Sequence, residues 1–282
     1  MVGLIKKVDL MKQKISITIN ERTLNQVSSL VDGIKISGIS QSIEYLLEKA
    51  LLDQKIAIIL AIAPPKKEKT ANFEDRPLLK VNNKPLIEHA IIKLSKSNFK
   101  KIFILGNHKL LTKVYGTIGD GSNYGVEMTY IEEESSSRGL GLKKTIGSIN
   151  SSFLIVFCDI YFSNFNLEDL WKQHLRYKAL ATLLLDTLPP QYTHKEIVAN
   201  IRGHQIIEIK NLAKNNFLPY FTGVFVAEPD FLKLSERFTN VFPNLANKGL
   251  LNGYVESVPY MHLHTSKEEK KFTKRFKKNK LI

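Results

Sequence analysis

A regular alternation of short apolar runs with amphipathic segments, beginning at residue 55, most constrains the fold of this chain. Residues 56–63 form an apolar run, and residues 55–63 are typical of a strand buried on both faces of a parallel sheet. Strand and helix patterns then alternate, which predicts an α/β domain with a doubly wound, mixed sheet. Further strands are predicted at residues 101–105, 126–131, 153–157, 181–185 and 223–226, and helices at residues 85–97, 110–115, 140–149 and 167–178.

A smaller module of different character precedes this body. Residues 14–20 alternate strictly between polar and isoleucine side chains, which predicts a strand with one apolar face. Amphipathic patterns predict a helix at residues 21–31, stopped by Gly33, and a second helix at residues 40–53 with Ser40 as its N-cap. One strand and two helices are too little to fold alone, so we expect two chains to pair as a homodimer.

This N-terminal segment carries Ser40-Gln41-Ser42-Ile43-Glu44 at the start of its second helix, with Glu44 where Arg is common. With the strand alternation and helix lengths, it resembles the ribbon-helix-helix family of transcription regulators. The resemblance implies that paired strands enter the major groove of double-stranded DNA and that the second helix begins at a phosphate. The implied DNA-binding residues are Lys14, Ser16, Thr18, Asn20, Ile39 and Ser40. The alternative is that the ribbon is only a dimerisation clip.

Four motifs occur in order along the body. They lie at residues 56–61, at residues 76–89, at residues 119–122 with 125–126, and at residues 153–160 running into Asp169, Leu170 and His174. Together they resemble the sugar-phosphate nucleotidyltransferase family, Rossmann-like enzymes that join a nucleotide to a sugar 1-phosphate and release pyrophosphate. The resemblance places Arg76 at the catalytic lysine position and Asp159 at the first magnesium-binding aspartate.

The family's glycine-rich phosphate loop has no counterpart here, because residues 62–67 read Ile-Ala-Pro-Pro-Lys-Lys. Pro64 and Pro65 donate no N–H and fix φ, so a phosphate-cradling nest of the family type cannot form. Lys66 and Lys67 still supply positive charge. The family's Glu-Lys-Pro segment is also missing, with residues 211–213 in its place. The body is therefore predicted to be catalytically degenerate.

The family's second metal-binding aspartate is replaced by residues 262–266, His-Leu-His-Thr-Ser. Imidazole is a poor magnesium ligand, so Asp159 is left as the predicted metal ligand, and no cofactor is required unless magnesium enters with a nucleotide. Zinc held by His262, His264 and Asp159 is one alternative, and ordinary histidines are the other, because alternate strand residues point to opposite faces. A nucleotide or sugar-nucleotide pocket is predicted at the carboxyl ends of the strands. Its predicted residues are Ala61, Lys66, Lys67, Arg76, Gly106, Gly141 and Asp159.

Composition agrees with a nucleic-acid partner without requiring one. The net charge is +14, and residues 267–282 hold eight Lys/Arg against two Glu, a basic tail that either touches DNA or anionic membrane or is simply solvated. A single cysteine, Cys158, excludes an intrachain disulfide framework and favours a reducing cytoplasm. Apolar runs are too short to span a bilayer.

The combined prediction is a dimeric, cytoplasmic DNA-binding regulator with a ribbon-helix-helix domain at residues 1–54, a nucleotidyltransferase-like domain at 55–266 and a tail at 267–282. The larger domain would sense a nucleotide or sugar nucleotide, or mediate oligomerisation. One alternative is an active sugar-phosphate nucleotidyltransferase with a dimer clip. A scaffold without activity is another.

Overall fold

The computed structural model describes residues 14–52, 55–61, 73–133, 149–161, 164–187, 196–212, 218–234, 238–257 and 261–262. The chain divides into two compact units, Met1–Leu51 and Leu52–Ile282. We call the first unit the head and the second unit the body.

The head contains two helices, α1 at Glu21–Ser28 and α2 at Ile39–Leu52. Asn20 caps α1, because its side-chain oxygen accepts the Thr23 N–H at 2.9 Å. The helix ends three residues before the predicted end, and the backbone reaches Gly33, which has φ of 73°, through two further turns. The predicted N-cap at Ser40 is wrong, because Ile39 is already helical and the Ser42 N–H donates to the Gly38 carbonyl.

Residues 14–20 join no sheet within the described part of this single chain. A strand needs a partner, so the paired strand and the ribbon-helix-helix module stay predictions. Two side chains of the predicted apolar face, Ile15 and Ile17, are 67% and 52% exposed. The head therefore leaves apolar surface uncovered when the chain is taken alone.

The body is built around a sheet of nine described strands, with helices packed against it. Its strands are β1 Ile56–Ala61, β2 Lys80–Val81, β3 Lys84–Pro85, β4 Lys101–Gly106, β5 Glu127–Glu132, β6 Phe153–Phe157, β7 Ile160–Tyr161, β8 Ala181–Asp186, β9 Glu196–Arg202, β10 Gln205–Leu212, β11 Tyr220–Ala227, β12 Leu251–Glu256 and β13 Met261–His262. Its helices are α3 Leu86–Lys96, α4 His108–Ile118, α5 Leu167–Arg176 and α6 Phe238–Asn247, with short 3-10 turns at Phe73–Leu78, Ser122–Tyr124 and Pro229–Lys233. None of the helices in the described ranges is both long and apolar enough to cross a bilayer.

The strand order of the large sheet is β5-β4-β1-β6-β11-β8-β12-β10-β9. Strands β5, β4, β1 and β6 are mutually parallel, β11 is antiparallel to both β6 and β8, and β12 is parallel to β8. The hairpin β9–β10 closes the far side. This is the mixed α/β sheet that the alternation of patterns predicts.

Buried side chains cover both faces of the sheet, as β1 illustrates. Ala57, Ile59 and Ala61 pack into the core under α3, α4 and α5, while Ile58 and Leu60 pack into the core on the opposite face. The second core is rich in aromatic rings that meet edge to face, including Phe225 and Phe242 with ring centres 5.4 Å apart. Burial on both faces explains why the strands read as continuous apolar runs.

The predicted strands at residues 153–157 and 101–105 match β6 and β4 closely, and the helices at 85–97 and 167–178 match α3 and α5. The helix predicted at residues 110–115 is longer in the structure, because Asn107 caps it and starts α4 at His108. The strand predicted at residues 223–226 begins three residues earlier, at Tyr220. Most of the helix predicted at residues 140–149 lies outside the described residues.

Candidate active site at the carboxyl edge of the sheet

The carboxyl ends of parallel strands β1, β4 and β6 lie side by side, and we call this border of the sheet the carboxyl edge. Ala61 is in register with Gly106, and Leu60 is in register with Phe157. In open α/β sheets, ligands bind outside these strand ends, where loops and helix starts converge. The predicted pocket residues Ala61, Gly106 and Asp159 therefore come to one edge of the fold.

Ala61 and Gly106 form a tight floor at this edge, and both are buried. A side chain at Gly106 would begin 3.3 Å from the Ala61 carbonyl oxygen and 3.3 Å from a methyl of Leu111. Close packing between the two strand ends therefore accounts for the glycine. Their ligand-binding roles stay predictions.

Asp159 lies in the turn that follows β6. The preceding residue, Cys158, donates its N–H to the Leu60 carbonyl at 3.1 Å, which ties the turn to β1. Ile160 and Tyr161 then pair with Met261 and His262 as a short antiparallel ladder. The carboxylate is thus held at the carboxyl edge by backbone hydrogen bonds on both sides.

Arg76 reaches Asp159 from the 3-10 turn Phe73–Leu78. Its Nη1 donates to Asp159 Oδ2 at 3.2 Å, although the residues are 83 positions apart in sequence. The two side chains are 8% and 10% exposed, so the ion pair is largely removed from water. The family resemblance placed Arg76 at a catalytic lysine position and Asp159 at a magnesium-binding position, and the fold brings the two side chains together.

Cys158 is a poor candidate for a nucleophile. Burial raises the pKa of its thiol well above the usual value, and the neighbouring Asp159 charge raises it further, while Arg76 opposes the shift. The thiol is therefore protonated at neutral pH, and only a thiolate attacks or binds metal readily. Asp159 and Arg76 are the charged pair beside this thiol.

Two buried carboxylates at strand ends escaped the sequence reasoning. Glu133 follows β5 and donates its N–H to the Gly106 carbonyl at 2.9 Å, and Asp186 ends β8 and is fully buried. Asp186 ends a strand that is buried along its whole length, whereas Glu133 follows Glu132 at the end of a strand that is only partly buried. Parallel strands β5, β6 and β8 end on the same side, so the carboxyl edge carries acidic groups at several strand ends.

The residues present fit magnesium only as a partner of a bound nucleotide. No group of three His, Cys, Asp or Glu side chains suited to a metal exists among the residues the structure describes. Magnesium retains waters and is commonly held by one or two carboxylates plus substrate phosphates, which a single buried Asp159 satisfies. The backbone of His262 lies opposite Ile160, while His264 lies outside the described residues.

Three of the predicted ligand residues, Lys66, Lys67 and Gly141, lie outside the described residues. In the head, Lys14, Ser16 and Thr18 are exposed. Asn20 uses its side-chain oxygen to cap α1, and Ile39 and Ser40 are the first residues of α2. Contact of these residues with DNA stays a prediction.

Comparison with known proteins finds matches to nucleotidyltransferases. Residues 70–192 match the family model described as Nucleotidyl transferase. A segment of 72 residues is 36% identical to the low-salt glycan biosynthesis nucleotidyltransferase Agl11 of Haloferax volcanii, covering 26% of this chain and 19% of that protein. The match therefore spans about a fifth of the length of that relative.

Solved structures share the fold over about four-fifths of this chain. A Bacillus anthracis protein assigned as a glucose-1-phosphate thymidylyltransferase, solved with sucrose, has a TM-score of 0.65 at 20% identity, covering 78% of this chain and 94% of that chain. The inositol-1-phosphate CTP transferase from T. maritima has a TM-score of 0.59 at 14% identity, covering 80% and 98%. The α/β fold around the carboxyl edge, together with the match at residues 70–192, identifies a nucleotidyl transferase domain in this chain.

Proposed function

We propose that the body of this chain is an active nucleotidyltransferase that transfers a nucleotidyl group from a nucleoside triphosphate to a sugar phosphate or a related polyol phosphate. The buried Arg76–Asp159 pair at the carboxyl edge carries this proposal. The pair is largely removed from water and lies at the edge where ligands bind in open α/β sheets, which favours a functional site there. The matched nucleotidyltransferases are the second support.

The reaction is a substitution at the α-phosphorus. A phosphate oxygen of the acceptor forms a bond to that phosphorus, the bond to the bridging oxygen of the β-phosphate breaks, and pyrophosphate leaves with the electron pair. Such transfers depend on positioning and on stabilising negative charge. They need no protein nucleophile, which agrees with the protonated state of Cys158.

Arg76 and Asp159 divide the work by charge. The Arg76 guanidinium is always charged and presents a planar set of donors, so it binds phosphate oxygens and stabilises the leaving pyrophosphate. Asp159 would hold the cation that accompanies the triphosphate at the carboxyl edge. Magnesium, when bound, neutralises charge on the transferring phosphates.

The acceptor class follows from the names of the matched structures. Those names include glucose-1-phosphate and inositol-1-phosphate, each a cyclic polyol carrying a phosphate monoester. We extend that class to this chain. The loop at residues 62–67, with two prolines and two lysines, provides side-chain charge where backbone donors are usual, so we expect slow turnover.

Pyrophosphate release tests the proposal. The full chain is incubated with magnesium, each of five nucleoside triphosphates, and glucose 1-phosphate or inositol 1-phosphate. We expect one pairing to release pyrophosphate above the acceptor-free background, and Asp159→Asn to reduce the rate on the order of a hundredfold. Asp230→Asn is the matched control, since Asp230 pairs with Lys233 at an exposed site. No acceptor-dependent release in any pairing contradicts the proposal.

A second candidate function, DNA binding by a dimer of the head, is favoured by the exposed Ile15 and Ile17. Their exposure supports a second copy pairing at this segment and leaving Lys14, Ser16 and Thr18 on the outer face. In this role the body senses a nucleotide or sugar nucleotide. Binding of the full chain to DNA from upstream of its own gene, measured at two salt concentrations, tests DNA recognition. The Lys14→Ala/Thr18→Ala variant is expected to lose the preference for this sequence. Equal binding to random DNA contradicts it.

A further inference from the structure

We infer that the turns at the amino ends of β8 and β12 form a binding surface for single-stranded nucleic acid. These strands begin at Ala181 and Leu251, so the surface lies on the border of the sheet opposite the carboxyl edge. It is separate from the proposed transferase site and from the DNA-binding residues predicted in the head. We call it the basic surface, and it consists of Arg176, Tyr177, Lys178, Arg202, His204 and Lys248.

Backbone hydrogen bonds bring three turns together at the basic surface. The turn after α5 joins the start of β12, because the Leu180 N–H donates to the Leu250 carbonyl at 3.0 Å. The tip of the β9–β10 hairpin also joins β12, because the Gly253 N–H donates to the His204 carbonyl at 2.9 Å. Residues distant in sequence are therefore held on one surface by the sheet itself.

Each of these turns adds positive charge without a carboxylate. Residues 172–180, 202–207 and 244–252 contain no Asp or Glu. The carboxylate of the neighbouring Glu228 accepts the Ser152 hydroxyl at 3.0 Å and lies 3.1 Å from the His174 ring nitrogen. Four cations are exposed and form no ion pair within the described ranges, namely Arg176, Lys178, Arg202 and Lys248. Such a cluster attracts a polyanion.

An aromatic platform lies among these cations. The rings of Tyr177 and His204 are stacked, with centres 3.9 Å apart and planes inclined by 11°. Tyr177 covers one face of the His204 ring, and because His204 is an exposed residue, the other face is open to a planar ligand. Bases of a single strand stack on such rings while cations bind its phosphates. This pairing of an open ring with cations favours nucleic acid over an acidic peptide or a lipid headgroup.

Lys178 gives independent support, because it occupies a position that glycine would fill at lower cost. Its φ is 30°, and it directly follows Tyr177, the C-cap of α5. Helices commonly end with glycine in this left-handed region, and any other residue there is strained. The Lys178 side chain is exposed, so packing does not explain the strain. A role of its charge in binding phosphate does explain it.

Three changes test the separate parts of the basic surface. Arg202→Gln/Lys248→Gln should weaken strand binding about tenfold and lower the slope of log affinity against log salt by about 1.4, because each phosphate contact contributes about 0.7. His204→Ala should weaken binding about tenfold through lost base stacking. Lys178→Gly should weaken binding about threefold while leaving thermal stability equal or higher, which separates the loss of charge from damage to the fold.

Fluorescence anisotropy of the full chain measures these effects. The probes are a labelled RNA and a labelled DNA single strand about 12 nucleotides long, an abasic strand of the same length, and the matching duplex. Vesicles containing phosphatidylserine are the lipid probe, followed by co-sedimentation. The control is Lys96→Gln/Lys100→Gln, which removes the same charge from exposed lysines elsewhere on the body and should leave strand binding within about twofold of the wild type.

The basic surface is supported if single strands bind more tightly than duplex, if the double variant loses more affinity than the control, and if His204→Ala loses affinity for base-containing strands alone. Either RNA or DNA as the tighter strand is then the assigned ligand. Equal losses in the double variant and the control overturn the proposal, as does an equal effect of His204→Ala on abasic strands. Binding to vesicles in preference to every strand overturns it as well. None of these outcomes depends on pyrophosphate release, so the transferase proposal is tested separately.

Discussion

Two buried ion pairs at different places in the body serve different purposes. At the amino end of β1, Lys55 donates to Glu168 of α5 at 2.8 Å, and its ammonium lies 5.5 Å from the ring centres of both Phe99 and Trp171. At the carboxyl edge, Arg76 pairs with Asp159 at 3.2 Å. The first cation is surrounded by a carboxylate and two aromatic faces, while the second is shared between two segments at the edge where ligands bind.

The contrast teaches how to separate a structural charge from a functional one. Lys55 is itself fully buried, but its partner Glu168 is one-third exposed and keeps contact with water. Arg76 and Asp159 are both nearly buried, and they lie at the edge where ligands bind in open α/β sheets. That position favours a functional role for their charges, whereas the enclosure of Lys55 by a carboxylate and two aromatic rings favours a structural anchor.

The largest effect on stability is expected from removing the carboxylate that pairs with the buried Lys55. Glu168→Ala leaves the buried Lys55 ammonium without its carboxylate and should lower the free energy of unfolding by about 3 kcal/mol. Lys55→Met removes the charge and keeps an apolar chain against the two rings, so its cost should be under about 1.5 kcal/mol. Urea denaturation of both variants measures the difference. A larger loss in Lys55→Met contradicts the assignment of Lys55 as an anchored charge.

The carboxyl edge should be sensitive to Gly223 in β11. Its φ is 84°, and a side chain there would overlap the Cδ1 atom of Ile160, the residue after Asp159. Gly223→Ala should cost about 2 kcal/mol from backbone strain and crowding. Ile160→Val removes the crowding atom, so the double variant should recover part of the loss in thermal unfolding.

Gly125→Ala is the matched control for this prediction. Gly125 also has positive φ, 65°, but nothing lies within 4 Å of an added side chain. It should lose only the strain component, about 1 kcal/mol, and should not respond to Ile160→Val. Equal losses at the two glycines would contradict the predicted crowding between a side chain at position 223 and Ile160, the residue after Asp159.

A smaller, pH-dependent effect is expected at His174 of α5. Its ring nitrogens lie 2.9 Å from Thr182 Oγ1 and 3.1 Å from Glu228 Oε1. Burial lowers the pKa of His174 below its usual value of 6.5, against the attraction of Glu228. Neutral imidazole is thus favoured in the folded state, so stability present above pH 6.5 should decline as pH falls below it.

Chemical denaturation between pH 5 and pH 8 checks this sign. His174→Gln should flatten the dependence, while His108→Gln, at an exposed position, should retain it. A His174→Gln variant with the full wild-type slope would assign the dependence to other groups. Stability that rises on acidification would reverse the sign and contradict a lowered pKa.

The smallest effect is expected in the head. Ser42 of α2 is fully buried, and its hydroxyl has no hydrogen-bond partner among the described residues. Ser42→Ala should therefore be neutral or stabilise the head by about 0.5 kcal/mol, because an unsatisfied polar atom is removed. Hydrogen exchange of α2 measures it at the scale of the head, and a loss above about 1 kcal/mol would indicate a partner for this hydroxyl.

The fold was predictable because several of the parallel strands are buried on both faces and so read as apolar runs, as at residues 153–157. Arg76 and Asp159 were each identified by resemblance. Their contact joins residues 83 positions apart, and no local sequence pattern predicts it. The pairing of Lys55 was missed because residues 55–63 were interpreted as one strand from their apolar pattern, which does not reveal a carboxylate partner 113 positions away. Ser40 was mistaken for an N-cap because the helix starts one residue earlier than the amphipathic pattern.

The head shows a different limit. Its helices follow from periodicity, whereas the predicted pairing of residues 14–20 would need a second chain and stays a prediction. Glu133 and Asp186 were missed because acidic residues at strand ends were considered only where the family resemblance pointed to them, as at Asp159. Reading every acidic strand terminus as a candidate would have found them.

The most direct test of the central claim is mass spectrometry of the reaction product. The wild type is incubated with magnesium, the triphosphate that binds most tightly, and glucose 1-phosphate or inositol 1-phosphate. The account predicts a new species that joins the nucleoside monophosphate unit to the acceptor phosphate, formed together with pyrophosphate, reduced in Asp159→Asn and retained in Asp230→Asn. Binding of the triphosphate with no joined product under any pairing would contradict it.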